Sequence, residues 1–390
     1  DRHHTMLKTT MKTKTPNVFK FVGTGDWHIG HPSTRTVDII SALYRMFPDN
    51  EQTAALDLII IEGDVYDHDL YLYSKDEELF KEFRKYLLTL SVKYDIPVRV
   101  LEGTPDHDWH QSRSFIIDNA LLELGADVRY VDNVEIEYLE RYDMHILYVP
   151  DEFRPKTDDV WLAVEAALRR HNLEKVDICV MHGCFPHQLP KLEGKIQMHD
   201  PKRYIGITNY YIVIGHIHAP SQYESILGPG SIERLIHGDE GDKGYIRVSV
   251  DLVNRNDTIE FIKNTAATPY ITMNMCGLDS DDVKATIEAN IDKYKHHPAV
   301  HFRIKAKPSD VATAMYNQIT KLYPNISWKF KSVDDNNGSG QLVHILEDRR
   351  TILSRPSLTR DNIVDVMTDR IRDKYPQLAD TCHNLLKDIV

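Results

Sequence analysis

Five short apolar runs of this chain each lead into Asp or His, and that repetition limits the fold more than any single motif does. Val18 to Gly23 leads into Asp26 and His28, and Leu56 to Ile61 into Asp64 and Asp67. Pro97 to Leu101 leads into Asp106, His107 and Asp108, Asp177 to Met181 into His182, and Tyr210 to Ile214 into His216 and His218. Apolar runs this short read as buried strands. Between them, Thr36 to Phe47, Asp76 to Leu90 and Asp158 to His171 carry apolar residues at helical spacing. The alternation predicts a layered α/β domain whose ligand crevice lies along the carboxyl ends of its strands. The five polar clusters then meet on one rim, although none is near another in sequence. A β-hairpin, Gly244 to Asp251 with Thr258 to Ile262, closes this part near residue 265.

The residue types in the clusters favour a metal. Asp and His without thiolate suit Mn, Fe or Zn better than Mg or Ca. The D-x-H and H-x-H spacings put two side chains on one side of an extended segment. One shared carboxylate with several imidazoles can hold two cations and activate a water between them. Cys179, Cys184, Cys276 and Cys382 are scattered, without a C-x-x-C pair, which argues against a zinc knuckle or a disulfide framework and fits a reducing compartment. His187, His199 and His237 fit no ligand slot and are expected to be surface or loop residues. Cys184 is expected to be a packed thiol, and Trp109 and His110 to pack rather than stack on a nucleotide. No apolar run is long enough to span a membrane, and export is not expected.

In order, Asp26-Trp-His28, Gly63-Asp64-Val-Tyr-Asp67, Asp106-His107-Asp108, His182 and Gly215-His216-Ile-His218 resemble the motif series of the calcineurin-like metallophosphoesterase superfamily. That series is D-x-H, GD-x-x-D or H, GNH-D/E, H, and GH-x-H. The resemblance covers roughly residues 18 to 263. It implies a four-layer α/β/β/α sandwich holding two divalent ions, Mn2+ before Fe2+, Zn2+ or Mg2+. Asp26, His28 and His218 would hold one ion, Asp64 would bridge, and Asp106, His182 and His216 would hold the other. His107 would protonate the leaving oxygen, Asp108 would orient or charge-stabilise it, and Asp67 would support the ligands from behind. One departure stands out: where the superfamily has Gly-Asn-His-Asp, this chain has Gly103-Thr-Pro-Asp106-His107-Asp108. Either a carboxylate replaces the amide ligand, or Asp106 turns away and one metal is held weakly.

Within the superfamily, Gly228-Pro-Gly-Ser-Ile-Glu-Arg234, followed by Glu240 to Gly244, is similar to the equivalent segment of SbcD-type DNA exonuclease subunits from bacteria and phages. That likeness implies an Mn-dependent 3′–5′ exonuclease with single-strand endonuclease activity. It would be a cytoplasmic homodimer serving DNA repair or recombination with an SbcC-type coiled-coil ATPase. A stand-alone phosphodiesterase acting on small nucleotides or phosphoproteins, and a scaffold with a decayed metal site, are the alternatives.

Residues 1–16 are expected to be a tag remnant and leader, 17–265 the catalytic domain, and 266–333 an α+β cap in β-α-β-α-β order. A linker is expected over 334–345 and a helical tail over 346–390. Ile363, Met367 and Ile371 share one helix face, which suits docking on an ATPase or packing on the cap. In the cap, Arg303, Lys305 and Lys307 alternate along one strand, and Lys329 and Lys331 along another with Trp328 and Phe330 facing inward. Two such strands could track a phosphate backbone; the alternative is a solvated outer face. The net charge of −12 is unusual for a nucleic-acid binder, but metal-binding carboxylates account for part of it. The last 110 residues carry 17 basic and 15 acidic side chains, so the acidity sits in the catalytic part.

Overall fold

Alternation of side chains along the strands decides how the layers stack. The computed structural model describes residues 17–151, 156–192, 194 and 196–333, and beyond them Val364, Thr368, Thr381 and His383. The chain begins β1 (Val18–Thr24), α1 (Thr36–Met46), α2 (Glu51–Ala54), β2 (Leu58–Ile61), α3 (Lys75–Tyr94), β3 (Val98–Leu101), α4 (Ser114–Leu121) and β4 (Val128–Val131). It continues β5 (Glu135–Leu139), β6 (Met144–Val149), α5 (Thr157–His171), β7 (Val176–His182), α6 (Pro201–Ile207), β8 (Thr208–Gly215), β9 (Ser221–Tyr223) and β10 (Ile226–Gly228). The hairpin β11 (Gly244–Asp251) and β12 (Thr258–Lys263) follows.

These strands form two six-stranded sheets, ordered β12-β11-β1-β2-β3-β4 and β5-β6-β7-β8-β10-β9. The inner faces meet through Phe19, Phe21, Leu58 and Ile60 on one side and Ile146, Tyr148, Ile178, Val180 and Val213 on the other. The next residue along each strand points outward. Val22, Ile59, Ile61 and Val98 pack on Ile39, Leu43, Phe80, Phe83 and Leu87 of α1 and α3. Leu147, Val149, Cys179, Met181 and Ile212 pack on Val160, Val164 and Leu168 of α5 and on Tyr204 of α6. Helix, sheet, sheet and helix therefore form the four expected layers, and strands covered on both faces, such as Leu58–Ile61, are apolar throughout. Local signals set the helix ends. Ser74 accepts from Glu77 N to start α3, and left-handed Asp95 and Asn172 stop α3 and α5.

A third sheet joins β13 (Tyr270–Asn274), β14 (His301–Ala306) and β15 (Ser327–Ser332), all parallel, with α7 (Ser280–Tyr294) and α8 (Val311–Leu322) as crossovers. It has its own core, including Met273, Val283, Ile287, Phe302, Ile304 and Ile319. Residues up to Gly340 group as one compact unit and Gln341–Val390 as another. The expected leader, linker and nearly all of the tail, including Ile363, Met367 and Ile371, lie outside the described residues. Val364, Thr368, Thr381 and His383 are helical. No helix among the described residues is long and apolar enough to cross a membrane.

Candidate metal centre

The loops after β1, β2, β3, β7 and β8 converge. Asp26 N donates to Gly63 O at 2.9 Å and His28 N to Asp64 O at 3.0 Å, so the first two loops run side by side. Asp26, His28, Asp64 and His216 have φ of 47, 51, 49 and 95°, the sparsely populated left-handed region. Such backbone costs of order 1–3 kcal/mol per residue and persists where the surroundings hold it. Gly63, itself at φ +94°, permits the closest approach: a Cβ there would lie 2.6 Å from Gly103 Cα and 2.7 Å from His182 Nδ1.

Three groups of side chains bring ligand atoms within 4.8 Å of one another: Asp26, His28 and His218; His28, Asp64 and His107; Asp64, His182 and His216. In the first, His28 Nδ1 meets Asp67 Oδ1 at 3.2 Å and its Nε2 faces His218 Nε2 at 3.1 Å. With the proton on Nδ1, held by the carboxylate, the lone pair of His28 Nε2 points at a second imidazole nitrogen. Asp26 accepts His216 N at 2.9 and 3.1 Å, one bond on each oxygen. In the third group, His182 Nδ1 donates to Glu62 O at 2.6 Å, which leaves its Nε2 lone pair 3.2 Å from Asp64 Oδ2. That same oxygen lies 3.9 Å from His28 Nε2, so Asp64 faces both halves of the site.

This donor set fits divalent cations, because lone pairs converge where few protons are available to separate them. Without a cation, protons carry part of that balance. Burial raises the Asp26 carboxyl to about 6 despite His182 nearby. Burial lowers the His182 imidazole, but Asp64 and Asp26 more than offset it and carry it up to about 10. Burial, then His28, holds His218 well below its ordinary value, as a neutral ligand requires. Asp64 stays well below the carboxylate range, since His182 and His107 outweigh its burial.

Asp106 is in none of the three groups. Beside Asp64, His182 and His216 stands Thr104, two residues earlier in the loop. His107 is half-buried at the rim, where its Nδ1 donates to Asp67 O at 2.6 Å and its ring meets His28 edge-on, with centroids 4.6 Å apart. Asp67 thus steadies His28 with its carboxylate and His107 with its carbonyl. Asp108, expected to orient His107 or stabilise its charge, accepts from Tyr66 N at 3.0 Å and Gly103 N at 2.9 Å. It braces the second loop against the third. Burial, then Glu102 and Asp64, pushes the Asp108 carboxyl well above its ordinary value.

Sequence reasoning missed several supports. Asp239 Oδ2 lies 3.7 Å from His218 Nδ1, and buried Lys243 donates to both Asp239 Oδ1 and His218 O. Glu62 is fully buried between Gly25 and Gly215, where a Cβ at either would come within 2.9 Å of its Cγ. His199 and His237, expected to be surface or loop residues, are loop residues and are buried. His199 packs on Phe185 and Tyr204, and His237 on Tyr270. Cys184 is fully buried, whereas Trp109 is 38% exposed beside the site.

On the third sheet, Arg303 pairs in register with Lys329 and Lys305 with Lys331, while Phe302, Ile304 and Ala306 point inward. Lys307 and Lys329 are exposed, and Lys305 and Lys331 half-exposed. Arg303 is not free on that face. Its Nε donates to Thr272 Oγ1 at 3.1 Å and its guanidinium lies 4.0 Å from Glu240, so it ties the third sheet to the loop that carries Asp239.

No family model matches the chain. It is similar to a DNA-repair protein. The DNA double-strand break repair protein Mre11 of Methanopyrus kandleri aligns at 23% identity over 227 residues, 54% of this chain and 48% of that protein. The chain therefore spans about half the length of the curated relative it matches. One solved crystal structure, 11% identical over 63% of the chain and all of its own length, superimposes with a TM-score of 0.37, too low to bear on the fold. The layer order rests on the sheets and cores described above.

Proposed function

We propose that this protein is a two-metal phosphodiesterase that cleaves DNA. The observation that carries this reading is the convergence of three metal-capable groups, joined through His28 and Asp64, the middle one including the His107 imidazole at the rim. Asp26, His28 and His218 would hold one ion, His182 and His216 the other, with Asp64 between; Asp106, outside all three groups, is left out. Divalent ions in such a set lower the pKa of a shared water and neutralise charge on the phosphoryl oxygens, and Mn2+ suits these donors. The chain's own residues supply the rest. The bond from His107 Nδ1 to Asp67 O fixes the ring, so that in the imidazolium form Nε2–H is the proton offered to the leaving 3′ oxygen. Asp108 keeps the two loops in register.

DNA is the substrate this reading favours, because the similar protein from Methanopyrus is a DNA-break repair protein and because Lys305, Lys307, Lys329 and Lys331 form a basic face. That face would follow phosphates, with Arg303 fastening the sheet in place. The SbcD-like motifs add 3′–5′ exonuclease and single-strand endonuclease activity, a homodimer and an SbcC-type ATPase partner to the proposal. The test is hydrolysis by the purified protein of bis-nitrophenyl phosphate, duplex DNA and single-stranded DNA over an Mn2+ titration, with His107→Ser as control. Expected is cleavage of all three, lost on chelation and reduced at least about 100-fold in H107S, with ion binding retained. Hydrolysis of the small diester with both DNAs left intact would end the nuclease reading. Loss of ion binding in H107S would make His107 a ligand instead of the acid.

A further inference from the structure

The second half of the centre has one donor too few if only ionisable side chains are counted. Asp64 also serves the first half, which leaves His182 and His216. The residue that closes this half is Thr104. Its Oγ1 lies 3.2 Å from Asp64 Oδ2, 3.3 Å from His182 Nε2 and 3.3 Å from His216 Nδ1. Asp64 Oδ2 and His182 Nε2 are themselves 3.2 Å apart. Four of the six separations among these atoms are therefore 3.2 to 3.3 Å, and the ligand atoms of Asp64, His182 and His216 lie within 4.8 Å of one another; donors bound at about 2.0 Å to one tetrahedral ion are themselves about 3.3 Å apart. The hydroxyl oxygen therefore joins a carboxylate oxygen and two imidazole nitrogens in one cluster of possible donors to a cation.

The chain fixes this hydroxyl from every side. Thr104 N donates to Asp64 Oδ1 at 2.6 Å, and Thr104 O accepts from His107 N at 2.9 Å and Asp108 N at 3.0 Å. Pro105 restricts the backbone before it to extended conformations, and a β-branched side chain has few rotamers. The residue is fully enclosed, at 1% exposure. Asp106 sits inside the turn closed by the bond from His107 N to Thr104 O and joins none of the ligand-capable groups.

We propose that the Thr104 hydroxyl is the neutral ligand of the second metal position, in the place where the resemblance led one to expect Asp106. This rests on the two-metal reading above and adds a residue to it. The consequence is an asymmetric pair: a hydroxyl is a weaker donor than a carboxylate, so the second ion is the more weakly held.

Mn2+ binding to the whole protein, followed by calorimetry and by the electron paramagnetic resonance signal of free Mn2+, tests the assignment without reference to turnover. Wild type is expected to take up two ions per chain in two steps of unequal affinity. Thr104→Val, which keeps the shape and removes the oxygen, should keep the tighter ion and weaken the other about 10- to 100-fold. Thr104→Ser should bind as wild type does, and so should Asp106→Asn. Thr104→Ala gives the same readout without a methyl group in the ligand position should the valine variant lose its cooperative melt. Unchanged binding in both T104V and T104A, or loss of the second ion in D106N, would overturn the assignment while leaving the two-metal reading intact. A wild-type protein that binds no Mn2+ would remove both.

Discussion

Around Asp26, His28 and His218, the ligand-capable atoms belong to ionisable side chains; other side chains, Asp67 and the Asp239–Lys243 pair, stand behind the two imidazoles, while Asp26 accepts the backbone N–H of His216. Around Asp64, His182 and His216 the supports are backbone atoms, Glu62 O and Thr104 N, and the set closes on a neutral hydroxyl. The first half is therefore sensitive to side-chain chemistry some distance away in sequence. The second depends on how closely the loops after β2 and β3 approach, which is why glycine occupies positions 63 and 103. One carboxylate, Asp64, is common to both.

Removing that common member should have the largest effect. Asp64→Asn keeps the shape and loses the charge facing both halves, so diester hydrolysis is expected to fall by three orders of magnitude or more, roughly 4 kcal/mol of barrier, with both ions weakened. Two ions still tightly bound in D64N would break the picture of a shared ligand. Next comes a change confined to the first half. Asp239→Asn removes the charge beside His218 Nδ1 and the partner of Lys243. Binding of one ion should weaken about 10- to 100-fold, while the step assigned to the second half stays in place. Equal weakening of both steps in calorimetry would show that the halves are not independently supported.

The two halves should also separate by pH in the metal-free protein. Asp26, raised to about 6 in the fold, gives stability that is complete below its unfolded value near 4 and is lost as pH rises through 6. His182, raised to about 10, gives stability that is complete below about 6.5 and is lost as pH rises toward 10. His218, held well below its ordinary value, has the opposite sign up to about 6.5, so the melting temperature of the metal-free protein should decline with pH above about 6.5, and Asp26→Asn should change the profile between about 4 and 6. Mn2+ should reverse the trend, because it takes the place of the protons. A flat profile without metal, or Asp26→Asn leaving the lower window unchanged, would contradict this. The smallest effect belongs outside both halves. Lys305→Gln with Lys331→Gln should lower the slope of log affinity for DNA against log salt by about one per lysine and leave hydrolysis of the small diester as it was. An unchanged slope would remove these lysines from the DNA path.

How much of this was legible in the sequence follows the same division. The first half reads directly from D-x-H and H-x-H, because each pair sits on one strand exit and its spacing is local. The layer order was legible from runs such as Leu58–Ile61, which are apolar because both faces are covered. β4 and β5 were not, since their burial is partial and their charged residues sit in the half-covered positions of Val128–Val131 and Glu135–Leu139. Thr104 was missed because a hydroxyl carries no motif of its own. The only local signs were the Gly before it and the Pro after it. Asp239 and Lys243 follow His218 by more than 20 residues, and nothing short of the fold brings them together. Arg303 looked like its neighbours Lys305 and Lys307 until the fold placed Glu240 beside it. His199 and His237 read as surface or loop residues because their segments have no periodicity, yet each packs on aromatic rings.

The most direct test of the central claim is digestion of single-stranded and duplex DNA by the purified protein as Mn2+ is titrated in, with ion uptake followed on the same samples. Cleavage that rises with ion uptake, vanishes on chelation and is lost in H107S is the expected result. Two ions bound per chain with both DNAs intact at every Mn2+ concentration would contradict it.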